Sequence, residues 1–204
     1  MSIQITYYGH SCFVAASQGY RVAFDPYDSH VPGYGPLKLE ANEVICSHEH
    51  GDHAFRKAVK LIPGGNSPFE TETYEIPHDD CGGQARGMNR ITVLKADGLK
   101  VIHFGDIGCL LPEELAVKLD GADAVMLPVG GFFTIDAGQA LAIYRQIHAK
   151  VMIPMHYRAG AAGFEVIGSL DDFEKTAGSL IHAEGNTLEI TPDMTPQIVA
   201  LQFR

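Results

Sequence analysis

Three histidines and an aspartate lie within the heptapeptide Ser47-His48-Glu49-His50-Gly51-Asp52-His53. The segment follows Glu43–Cys46, a short apolar run that reads as a buried strand ending at Ser47. A neutral imidazole offers a metal one nitrogen lone pair, and a carboxylate offers an oxygen. One such histidine would be unremarkable in a solvated loop. Four ligand-type side chains together at a strand end need a reason, because polar groups buried without partners are costly. Gly51 permits a tight loop that points alternate side chains inward. His48 and His50 can then face one metal ion while Asp52 and His53 face a neighbouring one.

The rest of the chain supplies a framework for that loop. Its 204 residues are 46% hydrophobic and 20% charged, which suits a globular chain expected to form one domain over residues 1–204. Residues 3–8 and 20–24 read as strands joined by a turn near Gln18-Gly19, and 72–76 reads as a strand. Residues 54–61 carry a weak helical pattern that stops before Pro63-Gly64-Gly65. Ala96-Asp97-Gly98 between two apolar runs predicts a hairpin of 91–95 and 100–104. The second half alternates: helices over 112–119, 136–149 and 170–180, strands over 124–127, 151–154 and 181–190. Hairpins followed by alternating helices and strands indicate a mixed α/β fold with layered sheets.

The formal net charge of −10 disfavours a phosphate backbone as partner, although bound metal ions would add local positive charge. Cys12, Cys46, Cys81 and Cys109 form no CxxC pair or zinc-finger spacing. The start MSIQITYYGH has no basic region followed by an apolar run, and no apolar stretch reaches membrane-spanning length. The expectation is a cytoplasmic protein with reduced thiols, no membrane contact and no nucleic-acid partner. A homo-oligomer is compatible with the sequence, which carries no sign for or against it.

The H-x-H-x-D-H pattern after a strand resembles the signature of the metallo-β-lactamase superfamily. The resemblance extends along nearly the whole chain. Asp25 in Ala23-Phe24-Asp25-Pro26, His78 in Ile76-Pro77-His78, Asp106 in Phe104-Gly105-Asp106 and His156 in Pro154-Met155-His156 occur in family order. Gly9-His10-Ser11-Cys12, Pro128-Val129-Gly130-Gly131 and Pro154-Met155-His156 are similar to the branch of short metal-dependent hydrolases that includes ascorbate-6-phosphate lactonase. The resemblance implies a four-layer αβ/βα sandwich with the site at one edge of two sheets. It implies two divalent ions, with zinc favoured and manganese or iron as alternatives. His48, His50 and His78 would hold one ion, Asp52, His53 and His156 the other, and Asp106 would bridge. A water or hydroxide between the ions would be the nucleophile.

Several residues keep two readings. Asp52 becomes a general base if only one ion binds. His10 either lines the site, as a further catalytic candidate, or makes a buried hydrogen bond. Asp25 either accepts the second ring proton of a ligand histidine or is a turn residue before Pro26. His78 shares its loop with Asp79 and Asp80, which are also within reach of a metal. Arg86, Arg158 and the Gly130-Gly131 loop are candidates for holding a substrate anion, with surface or packing roles as the alternative. His103 points into packing, and His30, His148 and His182 are structural or surface groups. Cys12, Cys46 and Cys109 read as buried apolar filler, while Cys81 sits on the site loop. The leading function is hydrolysis of a small molecule such as a lactone, phosphoester or amide. A di-iron redox protein, a metal sensor and a small nuclease are the alternatives.

Overall fold

Apolar alternation drives the first part of the chain into antiparallel ribbons. In the computed structural model, which describes residues 2–203, β1 (Ile3–Gly9), β2 (Cys12–Ser17) and β3 (Tyr20–Phe24) form a meander. Ile3, Ile5 and Tyr7 face inward and Gln4 faces solvent, the period of a half-buried strand. Gln18 and Gly19 both have positive φ, the two-residue hairpin geometry that matches strand twist. That turn joins β2 to β3, not β1 to β3. The intervening strand was hidden in the sequence because Cys12–Ala15 is buried throughout and shows no alternation.

The next segment departs further from expectation. It contains β4 (Leu39–Ala41), β5 (Glu43–Ile45), a single 3-10 turn at Arg56–Ala58 and β6 (Val59–Leu61). The helix expected over 54–61 is absent. β6 pairs in parallel with β4, and this long-range pairing overrides a weak local helical preference.

β7 (Glu70–Pro77), β8 (Met88–Ala96) and β9 (Leu99–His103) form an antiparallel set, with Asp97-Gly98 at the expected turn. α1 (Glu113–Leu119), β10 (Ala124–Pro128), α2 (Ala137–Gln146), β11 (Val151–Met155) and α3 (Leu170–Ala177) then alternate as predicted. β10 and β11 run parallel and are buried at every position, which explains their unbroken apolar sequences. The expected strand over 181–190 is two strands in different sheets, β12 (Ile181–His182) and β13 (Thr187–Ile190), followed by β14 (Gln197–Ala200).

Two main sheets result. One has the order β13-β1-β2-β3-β5 and the other β12-β14-β11-β10-β9-β8-β7, with β4-β6 as a small third sheet. The main core lies between the large sheets, where Ile5, Phe13 and Phe24 meet Val93, Val101 and Phe104. Residues of all three helices join this cluster, and α2 packs on β10 and α3. A second cluster, including Val14, Ala23, Tyr27 and Leu39, covers the far side of the smaller main sheet. The layered α/β architecture is as expected, with one outer layer built from loops and the β4-β6 pair in place of a regular helix. No helix among the described residues is long and apolar enough to cross a membrane.

Strand direction places the chemistry. β9, β10 and β11 are parallel, and β7 shares their direction because β8 is antiparallel to both β7 and β9. The segments leaving the C-terminal ends of β7, β9 and β11 carry His78, Asp106 and His156 to one edge. β3 and β5 are parallel in the other sheet and deliver Asp25 and the His48–His53 loop.

Helix α2 begins with a reciprocal cap. Asp136 accepts from the Gln139 backbone N–H at 2.9 Å, and the Gln139 side chain accepts from the Asp136 N–H at 3.0 Å. Asp136→Ala is expected to cost about 1 kcal/mol. In a chain of this size that lowers Tm by roughly 2–4 °C, measurable by thermal unfolding monitored by circular dichroism.

Candidate metal centre

The loop after β5 is organised by a carboxylate from the neighbouring strand. Asp25 is fully buried and accepts three hydrogen bonds: from the Ser47 N–H (2.7 Å), the Ser47 hydroxyl (2.6 Å) and His53 Nδ1 (2.8 Å). The last bond places the His53 proton on Nδ1 and leaves Nε2 as a lone-pair donor. The Ser47 hydroxyl spends its single proton on Asp25, so it accepts from His48 Nδ1 at 2.9 Å. His48 is thereby given the same tautomer. One carboxylate sets the proton positions of two ligand candidates.

The free nitrogens converge. Nε2 of His48, His53 and His156 are buried and make no hydrogen bond. One candidate ligand atom from each of His48, His50 and His78 lies within 4.8 Å of the others, and the same holds for His10, Asp52, His53 and His156. Asp106 stands between these groups. Its Oδ2 is 3.1 Å from His53 Nε2, 3.2 Å from His156 Nε2 and 3.7 Å from His78 Nε2. Buried imidazole nitrogens that approach a carboxylate without hydrogen-bond alignment are the arrangement an intervening cation resolves. The donor set therefore fits metal ions.

Charge supports that fit. Burial alone would raise the Asp106 carboxyl, but His156 and His53 outweigh it and hold the group well below the usual aspartate range. Burial would likewise raise Asp52, and the hydrogen bond with His10 and the nearby His53 ring reverse the shift. Burial lowers His48 to about 3, with His53 adding to the effect. It also lowers His10 to about 4, with His156 contributing and Asp52 opposing. Both rings are neutral near pH 7. Burial opposes charge on His53 too, yet Asp106, Asp25 and Asp52 together push its pKa well above normal. Three carboxylates around one ring mark a place that demands positive charge, which a proton meets when no metal does.

Backbone contacts hold the remaining candidates. The Asp106 N–H donates to Asn89 Oδ1 at 2.8 Å, and Asn89 Nδ2 donates to the Phe104 carbonyl. The His156 N–H donates to the His10 carbonyl at 2.9 Å, and His10 Nε2 lies 3.2 Å from Asp52 Oδ2. Asp79 is turned away from the cluster. Its carboxylate accepts from the backbone N–H groups of Cys81, Gly83, Ala85 and Arg86 and from the Cys81 thiol, closing the loop that follows His78. Glu49 faces outward in a paired contact with Arg56 at 2.6 and 2.9 Å.

The sequence expectations fare unevenly beyond this cluster. His103 is buried in packing, stacked on Phe24 and bonded to the Ser11 carbonyl. Cys12 and Cys46 are buried, whereas Cys109, in the connection between β9 and α1, is only partly so. Arg158 lines a separate surface pocket beside Pro32 and Gly163. The Gly130-Gly131 pair is parted from α2 by Phe132–Asp136. A side chain at Gly130 would meet the His156 carbonyl oxygen at 2.3 Å, which makes the pair a close-packed connection. A cavity of about 460 Å³ opens over the cluster, and Arg86 is on its wall. Asp28, Phe133 and Phe164, absent from the site expected from the sequence, also line it, together with His30, which reads there as a structural or surface group. The aspartate two residues before His30 is the one available signal: Asp28 bonds both the His30 ring and its N–H at 2.9 Å.

Gly108 shows how tightly the cluster is backed. A Cβ there would sit 2.2 Å from the Asp79 nitrogen and 2.3 Å from the His78 carbonyl carbon. Gly108→Ala must displace the His78 backbone. Overpacking of this kind costs roughly 1–3 kcal/mol. A lower Tm together with weaker metal retention in elemental analysis is the expected result.

A family model for the beta-lactamase superfamily domain matches residues 4–156. A UPF0173 metal-dependent hydrolase from Carboxydothermus hydrogenoformans is 26% identical over 215 aligned positions, covering 88% of this chain and 95% of that protein. Among solved structures, a candidate Zn-dependent hydrolase of the metallo-β-lactamase superfamily from Thermotoga maritima superposes with a TM-score of 0.78 at 28% identity, covering 99% of this chain and all of that one. A metallo hydrolase from Ignicoccus hospitalis shares the fold at a TM-score of 0.65 and 20% identity, covering 100% of this chain and 96% of that one. With the family model spanning well over half its length and the ligand-type residues gathered at one sheet edge, the chain belongs to the metallo-β-lactamase superfamily.

Proposed function

We propose that this protein is a dinuclear metal-dependent hydrolase acting on a small molecule. The carrying observation is the convergence of three buried, unbonded imidazole nitrogens, of His48, His53 and His156, around Asp106. His48, His50 and His78 would hold one ion and Asp52, His53 and His156 the other, with Asp106 within reach of both sets. Two divalent ions held there would lower the pKa of a water molecule and supply positive charge for the attacked carbonyl or phosphoryl oxygen.

The chain's own residues do the positioning. Asp25 and Ser47 hold the His48 and His53 rings in the ligand tautomer. His10 orients Asp52 through the 3.2 Å contact and stays neutral while doing so. The depressed pKa of Asp52 favours a ligand over a general base, a role left to the single-metal case. Imidazole-rich donors favour zinc, the metal named for the Thermotoga maritima relative. Glu49 is committed to Arg56, which removes the nearest substitute carboxylate of a di-iron redox site. The net charge supports a small-molecule substrate over nucleic acid, and the four free cysteines support a cytoplasmic setting. The single-domain reading of 1–204 and placement in the branch that includes ascorbate-6-phosphate lactonase belong to the same proposal. So does the absence of a membrane or nucleic-acid partner.

Elemental analysis of protein purified without chelator is expected to give close to two equivalents of zinc or manganese. Turnover of one class in a panel of lactones, phosphoesters and amides should accompany it. His50→Ala should lose metal and turnover together. Undiminished hydrolysis by chelator-stripped protein would sink the reading, and iron without turnover would favour the redox alternative.

Asp25→Asn isolates the tautomer argument. The variant keeps the side-chain shape but removes the charge that fixes His53 and Ser47. Changes to groups that orient metal ligands cost roughly 10–100-fold in affinity or activity, so a competitive chelator titration should show a loss in that range. Wild-type affinity would mean that Asp25 does not control the ligands.

A further inference from the structure

Among the described residues, Arg86 is the only arginine or lysine on the wall of the cavity over the cluster. Among the described residues its guanidinium has no carboxylate partner, although the chain carries 25 acidic residues against 15 basic ones. Its one side-chain contact of note is aromatic: Cζ lies 5.5 Å from the centroid of Phe133. Phe133 packs edge-on against Phe164 at 5.7 Å. Phe133 in turn approaches His156 at 6.4 Å, and Phe164 approaches His10 at 5.8 Å. An aromatic wall thus runs from the guanidinium to the imidazoles of the cluster.

The guanidinium is also presented from a fixed backbone. The Arg86 N–H donates to Asp79 at 2.8 Å, and Asp79 is bonded to three other N–H groups of the same loop. The His78 N–H donates to the Gly87 carbonyl, so a ligand candidate and Arg86 share one closed turn. Preorganisation of this kind lowers the entropic cost of holding a ligand. An unpaired arginine of fixed origin, facing a cavity with an apolar wall, is suited to a planar anion attached to an apolar body.

We infer that the cavity takes a small molecule bearing an anionic group, which Arg86 holds while the apolar part lies against Phe133 and Phe164. The substrate class is then an anionic ester, thioester, lactone or amide whose scissile bond reaches the cluster. This deepens the hydrolase reading and rests on it for the scissile bond, but the anion subsite stands on Arg86 alone. A carboxylate and a phosphate or phosphonate share the required chemistry, and binding distinguishes them.

The test uses the protein as purified, with phenylacetate, phenylphosphonate and neutral phenylacetamide as probes in calorimetric or NMR titrations. Phenylacetate, phenylphosphonate or both should bind more tightly than the amide, and the preferred anion names the group. Arg86→Met should weaken that anion by roughly tenfold to a hundredfold, the range for a charge-assisted hydrogen bond, and leave the amide unchanged. Arg86→Lys, which keeps the charge but not the fork, should fall between. Equal binding of anion and amide, or anion binding indifferent to Arg86→Met, overturns the subsite. Arg86-dependent binding with no metal-dependent turnover of any ester, thioester, phosphoester, lactone or amide would leave the subsite standing and remove the hydrolase reading. Turnover together with Arg86-independent binding would do the reverse.

Discussion

The buried carboxylate of Asp25 is the constraint on which the site depends. It leaves β3 in a left-handed conformation, with φ at 43°, and its oxygens reach across to the end of β5. Every hydrogen it accepts comes from the loop that bears the histidines. Without it, the Ser47 and His53 donors would be buried with no acceptor, at a cost of about 1–3 kcal/mol for each unsatisfied group. The carboxylate is itself stable there. Burial works against its charge, and His103, His53 and Ser47 more than compensate, keeping it ionised. The fold supplies a fixed negative charge, and that charge fixes the rings.

Strain gathers at the same place. His10, Asp25 and His156 all have positive φ, a region side chains other than glycine enter reluctantly. Such conformations cost of order 1–3 kcal/mol each and survive only where neighbours enforce them. Here the enforcement is visible. The Tyr7 hydroxyl and the His156 N–H both donate to the His10 carbonyl, and Tyr7 is itself fully buried and stacked on Phe13. The core between the sheets therefore extends its rigidity directly into the backbone of two site residues.

The loop after β7 links two tasks through one side chain. Asp79 gathers the N–H groups of its own turn, which leaves His78 at the cluster and Arg86 at the cavity wall. Glycines at 82, 83 and 87 adopt positive φ and let so tight a turn close. Gly108 then presses on the His78–Asp79 backbone from β9's side, so the turn has little room to shift.

Much of this was legible in the residues themselves. The His48–His53 motif, the order of His78, Asp106 and His156, and the unbroken apolar runs of β10 and β11 are local patterns that identify the family and its layered sheets. They survive because each rests on residue chemistry or a period within a few positions. What the sequence did not reveal depends on pairing across long distances. Residues 59–61 become a strand only because Leu39–Ala41 offers an edge, and β2 was invisible because both its faces are covered. The same limit applies at the site. That Asp25 governs two histidines, that Asp79 serves its own turn, and that Phe133 and Phe164 lead from Arg86 to the cluster follow from tertiary contacts alone. A sequence records which side chains can donate, accept or coordinate. The packing of two sheets decides which of them meet, because burial makes every unpaired polar group costly and leaves few arrangements that satisfy them all.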